Sequence, residues 1–140
     1  MKRHEIIHAT AVEAGGRAAL LIGPSGSGKS ALALALIAHG ARLVSDDRTR
    51  IERRESGLYA CPPDWLAGVI EARGVGLLRA PVAPPSPTTV VVDMGQVETE
   101  RLPPRRSVEI MDVSLALLHK VETQHFAAAV LAYLTHGPFE

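Results

Sequence analysis

The chain has 140 residues, which suits one domain over 1–140, and its 15 Lys+Arg balance 15 Asp+Glu, so a net charge of zero argues against a general nucleic-acid binder. Hydrophobic residues make up 46% and aromatic residues 4%, which predicts an aliphatic core, yet no stretch approaches the ~20 apolar residues of a membrane span. The charged start Met1-Lys2-Arg3-His4-Glu5 leads into no apolar signal stretch, and the lone Cys61 allows no internal disulfide, so a reduced, cytoplasmic setting is expected.

In chain order, residues 6–12 alternate loosely and are predicted as a strand. Glu13-Ala14-Gly15-Gly16 reads as a hairpin turn into a second strand over 17–22, the short apolar run Arg-Ala-Ala-Leu-Leu-Ile. That strand therefore gains an antiparallel neighbour, unlike the parallel sheets of most phosphate-loop proteins. Next comes Gly23-Pro24-Ser25-Gly26-Ser27-Gly28-Lys29-Ser30, which meets G-x-x-x-x-G-K-[ST] at every fixed position. Residues 29–39 are rich in Ala and Leu and predict a helix, with Gly40 as its stop.

A strand over 41–45 follows, ended by Asp46-Asp47. Residues 50–54 and 58–61 flank Glu55-Ser56-Gly57 and predict a hairpin, which Pro62-Pro63 breaks. Residues 70–79 mix apolar residues with Glu71, Arg73, Gly74 and Gly76. Four prolines between 81 and 87 predict a stiff exposed loop. Residues 88–93, Thr-Thr-Val-Val-Val-Asp, carry the clearest strand signal in the chain. Residues 102–106 read as a Pro/Arg loop, 107–118 as apolar but open between helix and strand, and 122–136 as a helix closed by Gly137-Pro138.

The chemistry of the glycine-rich stretch is legible residue by residue. A phosphate chain needs a concave ring of backbone N–H groups, and glycines permit the tight turns that build one. The helix N-terminus behind the loop adds partial positive charge. Lys29 can reach the terminal phosphates of ATP, and Ser30 can place its hydroxyl on Mg²⁺.

A phosphoryl-transfer site also needs carboxylates for the metal and for the acceptor's proton. Asp46-Asp47 ends the strand after the helix, and in an open α/β sheet ligands sit outside the carboxyl ends of the strands. Asp93, ending an apolar strand, is a second and weaker candidate. Cys61 reads as a small buried hydrophobe, and His119 and His125, six apart, lack the partners of a zinc site. His8, taken alone, reads as an ordinary core or surface histidine.

The order of these features resembles the catalytic domain of HPr kinase/phosphorylase. Members of that family carry a His on the strand before the phosphate-loop strand, a G-x-x-G-x-G-K-S loop, an Asp-Asp pair after the next strand, and an E-x-R-G-x-G signature. Here these are His8, the loop from Gly23 to Ser30, Asp46-Asp47, and Glu71-Ala72-Arg73-Gly74-Val75-Gly76. The resemblance covers the first half of the chain. It implies an α/β fold, a P-loop kinase core with a mixed β-sheet like that of phosphoenolpyruvate carboxykinase. It implies transfer of the ATP γ-phosphate to a serine of an HPr-type phosphocarrier protein of the phosphotransferase system, and phosphorolysis of phosphoserine in reverse.

Carried over position by position, the resemblance makes Asp46 the general base and places His8, Lys29 and Arg73 at the transferred phosphate. It gives Mg²⁺ to Ser30, Asp47 and Glu71. Gly23, Pro24, Ser25, Gly26, Ser27, Gly28, Lys29, Ser30 and Ala31 line the ATP site. Ala31 stands where the family usually has an acidic residue, and Pro103-Pro104-Arg105-Arg106 is a rough counterpart of a late phosphate-contacting arginine motif. The chain is similar to short alphaproteobacterial forms without the family's N-terminal domain, and the resemblance also implies a homo-oligomer. Two other readings stay open at this stage. One is a P-loop kinase of a small molecule, with Arg48, Arg50, Arg53 and Arg54 as its lid. The other is an ATP-binding regulatory module.

Overall fold

Gly15 and Gly16, at φ 62° and 81°, make the first tight turn, a two-residue loop closed by the pair Ala14–Arg17. It joins strands β2 (Thr10–Ala14) and β3 (Arg17–Ile22), the antiparallel hairpin expected before the glycine-rich loop. The computed structural model describes residues 3–139, so Met1 and Lys2 of the charged start, and Glu140, lie outside the described residues.

The remaining elements are β1 (His4–Ile7), α1 (Lys29–Ala38), β4 (Arg42–Ser45), β5 (Thr49–Arg54), β6 (Gly57–Cys61), β7 (Val69–Ala72), β8 (Gly76–Arg79), β9 (Ser86–Val97), β10 (Arg106–Ile110), β11 (Val113–Lys120) and α2 (Phe126–His136). Among the described residues nine strands form one sheet, in the order β1-β5-β6-β9-β3-β2-β4, with β11 on β9 and β10 on β11; β7 and β8 pair separately. The sheet is mixed. β3 and β11 run parallel to β9, while β2 lies antiparallel to β3 and β4.

Strand alternation sorts side chains to two faces. Val12, Ala19, Leu21, Val90 and Val92 point to the face covered by α1 and α2, where Leu32, Leu36, Phe126, Val130 and Leu134 meet them. Ala11, Leu20 and Val91 point the other way, onto Ile51, Leu58, Ala60 and Leu115. Both faces of β3 and β9 are therefore buried. That is why these two strands read as unbroken apolar runs rather than alternating ones.

Helix α1 starts behind Gly28 and stops at Gly40, φ 106°. There Gly40 N–H donates to the Ile37 carbonyl and Ala41 N–H to the Leu36 carbonyl, both at 3.0 Å, a Schellman closure. Helix α2 ends over the β2–β3 turn, and Arg17 Nη1 donates to the Leu134 and Thr135 carbonyls at 3.3 and 3.2 Å.

Several sequence expectations change. The strand expected over 6–12 is two strands, broken at His8 and Ala9, because β1 pairs with β5 while β2 pairs with β3 and β4. His8 thus sits in the bend between strands, not mid-strand. The stiff loop over 81–87 ends early, since Ser86 and Pro87 already pair with β6. Residues 107–118 resolve into the β10–β11 hairpin, turning at Met111 and Asp112 with φ 50° and 64°. The last helix begins at Phe126, four residues later than 122.

Candidate active site

The loop between β3 and α1 is held by close backbone contact. A Cβ on Gly23 would lie 2.7 Å from Ser27 Oγ and 3.0 Å from the Gly95 nitrogen, so the loop packs directly on β9. Gly23, Gly26 and Gly28 all have positive φ, at 138°, 83° and 101°. Ser27 N–H donates to the Pro24 carbonyl at 3.1 Å and closes a turn. The Lys29 side chain is buried, and its ammonium donates to the Gly23 and Pro24 carbonyls at 2.6 and 3.3 Å. Its charge therefore lies against the loop's own backbone.

Three elements converge on Asp46, which follows the end of β4. Its Oδ1 accepts from Ser30 Oγ of α1 at 2.9 Å and from Thr10 Oγ1 of β2 at 3.0 Å, and its Oδ2 accepts from the Glu71 N–H of β7 at 3.0 Å. Thr10 is fully buried, and its hydroxyl also accepts from the Asp47 N–H at 3.1 Å. One threonine thus fixes both acids of the pair.

Asp47 adopts φ 67°, a left-handed conformation that aspartate tolerates better than most residues. Its Oδ1 lies 2.7 Å from His8 Nε2, and both side chains are exposed, at 65% and 51%. Asp46 and Asp47, adjacent in sequence, therefore face different partners: Asp46 the Ser30 hydroxyl, Asp47 the imidazole and solvent.

The remaining expected residues are placed as follows. Glu71 touches the site through its backbone N–H, and its side chain is exposed at the start of the β7–β8 hairpin. Arg73 occupies the hairpin's exposed turn, and no hydrogen bond from it occurs among the described residues. Ala31 is exposed on the first turn of α1. Asp93 pairs in register with Ile22 beside the loop and spends Oδ1 on the Gly95 N–H at 2.8 Å, so it shapes the strand that the loop packs on.

Arg106 is engaged elsewhere. It forms a two-pronged pair with Glu98, at 3.0 and 3.3 Å, and holds that carboxyl below the usual glutamate range. Arg50 and Arg54 are likewise tied to Glu52, at 3.2 and 3.0 Å, and Arg54 stacks over Tyr59, so Arg50, Arg53 and Arg54 of the expected lid lie along β5, with Arg48 just before it. Burial pushes the Cys61 thiol up, which suits a buried hydrophobe.

One residue at the loop was not anticipated. Lys120, the last residue of β11, donates from Nζ to the Ser27 carbonyl at 3.1 Å. It lies 93 positions from its partner, and no local motif announces such a contact.

The donor set suits a nucleotide with Mg²⁺. Ser27 Oγ is buried inside the loop without a partner among the described residues, and nothing lies within 4 Å of the Cβ position of Gly26. Ser30 Oγ and Asp46 Oδ1 are adjacent hard oxygen donors. No cluster of three or more His, Cys, Asp or Glu able to hold a metal by itself occurs among the described residues. The Ser30 hydroxyl and the Asp46 carboxylate are donors of the kind Mg²⁺ takes, and Mg²⁺ keeps waters and leans on phosphate oxygens.

Comparison with known proteins follows the same lines. The model of the HPr serine kinase C-terminal domain matches residues 1–82. The HPr kinase/phosphorylase of Clostridium acetobutylicum is 43% identical over 75 residues, which is 54% of this chain and 25% of that protein. That of Lactobacillus delbrueckii subsp. bulgaricus is 41% identical over 73 residues, 51% of this chain and 23% of that protein. The chain thus spans about a quarter of the length of the curated relatives it matches. The fold is similar to that of the Hpr(Ser) kinase/phosphatase from Coxiella burnetii, with a TM-score of 0.76 at 20% identity, over 91% of this chain and 92% of that one. Among the described residues no helix is long and apolar enough to cross a membrane.

Proposed function

Because the chain belongs to the family of the HPr serine kinase C-terminal domain, we propose that it is an ATP- and Mg²⁺-dependent protein-serine kinase. Its acceptor is the serine of an HPr-type phosphocarrier protein, and phosphorolysis of that phosphoserine is the reverse reaction. It works in the cytoplasm as one catalytic unit that self-assembles. The observation that carries this reading is the network at Asp46, which joins the loop serine, the Asp pair and the β7–β8 hairpin. A loop that merely bound phosphate would have no need of the exposed His8–Asp47 pair beside it.

When bound, ATP supplies the phosphoryl group and Mg²⁺ offsets its charge. The backbone from Gly23 to Ser30 and the Lys29 ammonium would hold the phosphates, and Ser30 and Asp46 the metal. Asp46 already accepts three hydrogen bonds and touches Ser30, which favours the metal side for it. Asp47 keeps an oxygen free and has His8 to orient it, so Asp47 is the better base for the acceptor hydroxyl. These roles are the reverse of those the resemblance implied. In the reverse reaction the same carboxyl would return the proton to the serine oxygen. Arg73, in the turn of the β7–β8 hairpin that Glu71 ties to Asp46, would serve the transferred phosphate.

Phosphotransfer tests the reading directly. The protein is mixed with MgATP and an HPr-type carrier, with Lys29→Ala as control, and the carrier is weighed after acid treatment, which spares phosphoserine and destroys phosphohistidine. An acid-stable gain of one phosphoryl group with wild type alone is expected. ATP bound without transfer would instead make the chain a nucleotide-binding regulatory module.

A further inference from the structure

We infer that Lys120 is a positioning residue for the glycine-rich loop, whose ammonium, at the point where β9 bulges away from β11, grips the Ser27 carbonyl and so turns the Gly28 N–H toward bound phosphate. The inference rests on the reading of the loop as a nucleotide-phosphate site.

The bulge is the first observation. Residues 116–119 of β11 pair in step with 90–93 of β9, and then Lys120 jumps to Val97. The three extra residues, 94–96, are on β9, and such an irregularity breaks the ladder beside Lys120 and twists the strands locally. Here the Lys120 carbonyl is pinned by the Glu98 N–H at 2.8 Å, so the backbone of that residue is held. Its side chain crosses to the loop, where Nζ lies 3.1 Å from the Ser27 oxygen and 3.8 Å from the Cβ position of Gly28. The hydrogen bond that the Lys120 ammonium makes among the described residues goes to this loop carbonyl.

The geometry of one peptide bond supplies the rest. In a trans peptide the C=O and the N–H point in opposite directions. Fixing the Ser27 carbonyl on Lys120 therefore fixes the Gly28 N–H on the other side. An ammonium on the carbonyl also polarises the amide and strengthens the N–H as a donor. Gly28 sits at φ 101°, which a side chain would strain. Lys29 takes the Gly23 and Pro24 carbonyls. Two lysines from distant parts of the chain thus occupy the loop's carbonyls and leave N–H groups for an anion.

The test uses Lys120→Met, which keeps the stem and removes the charge, and Lys120→Arg, which keeps the charge. Two readings are taken on the full chain. Amide correlation spectra of the ligand-free protein follow the Gly28 N–H, and titrations compare ATP and ADP with adenosine. Lys120→Met is expected to move the Gly28 amide proton upfield and to weaken ATP and ADP about tenfold, the worth of one charge-assisted hydrogen bond. Adenosine binding is unchanged, and Lys120→Arg restores most of the loss. An unmoved Gly28 amide with ATP affinity equal to wild type overturns this inference alone. Weakened binding that comes with a lower melting temperature of the ligand-free protein overturns it as well, in favour of a merely structural lysine. Absence of ATP binding by the wild type overturns the nucleotide reading, and with it this inference.

Discussion

At the scale of residues, the Asp pair shows how neighbours acquire different chemistry. Thr10 is the divider: one hydroxyl donates to Asp46 and accepts from the Asp47 N–H. Thr10→Val keeps the shape and removes both bonds, leaving the Asp47 N–H unpaired next to a buried methyl. We expect a loss of about 1–3 kcal/mol in urea unfolding and slower phosphotransfer. Asp47→Asn is expected to cut the transfer rate by about 10²–10⁴-fold with ATP affinity retained, whereas Asp46→Asn should raise the Mg²⁺ concentration needed for half activity. Equal transfer by Asp47→Asn and wild type would remove Asp47 as the base. Glu13, buried in β2, behaves differently. Arg42 bonds it at 2.7 Å and holds its carboxyl below the usual range, against the opposing effect of burial. A lowered folded pKa stabilises the protein above the unfolded value and is lost as pH falls through the folded one. Glu13→Gln should therefore flatten the decline in urea midpoint below about pH 4.3, and an unchanged acid limb would contradict it.

At the scale of elements, caps and turns decide where strands and helices stop. Gly40 closes α1 at φ 106°, and nothing lies within 4 Å of its Cβ position. Gly40→Ala meets no steric obstacle, so its cost is backbone strain alone, about 1–2 kcal/mol, read as a lower midpoint in thermal or urea unfolding. The β10–β11 turn runs the opposite way. Asp112 holds φ 64° with its side chain 88% exposed and only a 3.9 Å contact to Arg53. Asp112→Gly should stabilise the hairpin by roughly 0.5 kcal/mol; destabilisation would mean the Arg53 contact matters more than the backbone. This turn lacks the Asn-Gly or Gly-Gly signature that made the β2–β3 turn readable, which is why 107–118 stayed open between helix and strand.

At the scale of the whole molecule, one sheet separates two cores. The helix face holds Leu134 and the opposite face Ile51, each essentially inaccessible. Strands β3 and β9 contribute to both, so a loss on either side loosens the same strands. Leu134→Ala and Ile51→Ala are each expected to cost about 2–5 kcal/mol and to shift one shared transition. Coincident urea curves from the Val130 and Leu58 amide signals, one on each face, would show it; separate transitions would mean the faces unfold independently.

The sequence by itself determined the parts that rest on local rules. The loop from Gly23 to Ser30, helix α1 with its Gly40 stop, the β2–β3 and β5–β6 hairpins, the Val90-Val91-Val92 strand and the presence of α2 all carry periodicity or turn residues within a short window. The candidate acids were legible for the same reason, since Asp46-Asp47 ends a strand after the loop helix. Only the tertiary structure decided where 6–12 breaks, that 86 and 87 join β9, that Ser30 faces Asp46 while His8 faces Asp47, and that Lys120 reaches Ser27. Each of these depends on which distant strand a segment pairs with. A shift of one residue in that pairing turns a side chain to the other face, and no local composition records it.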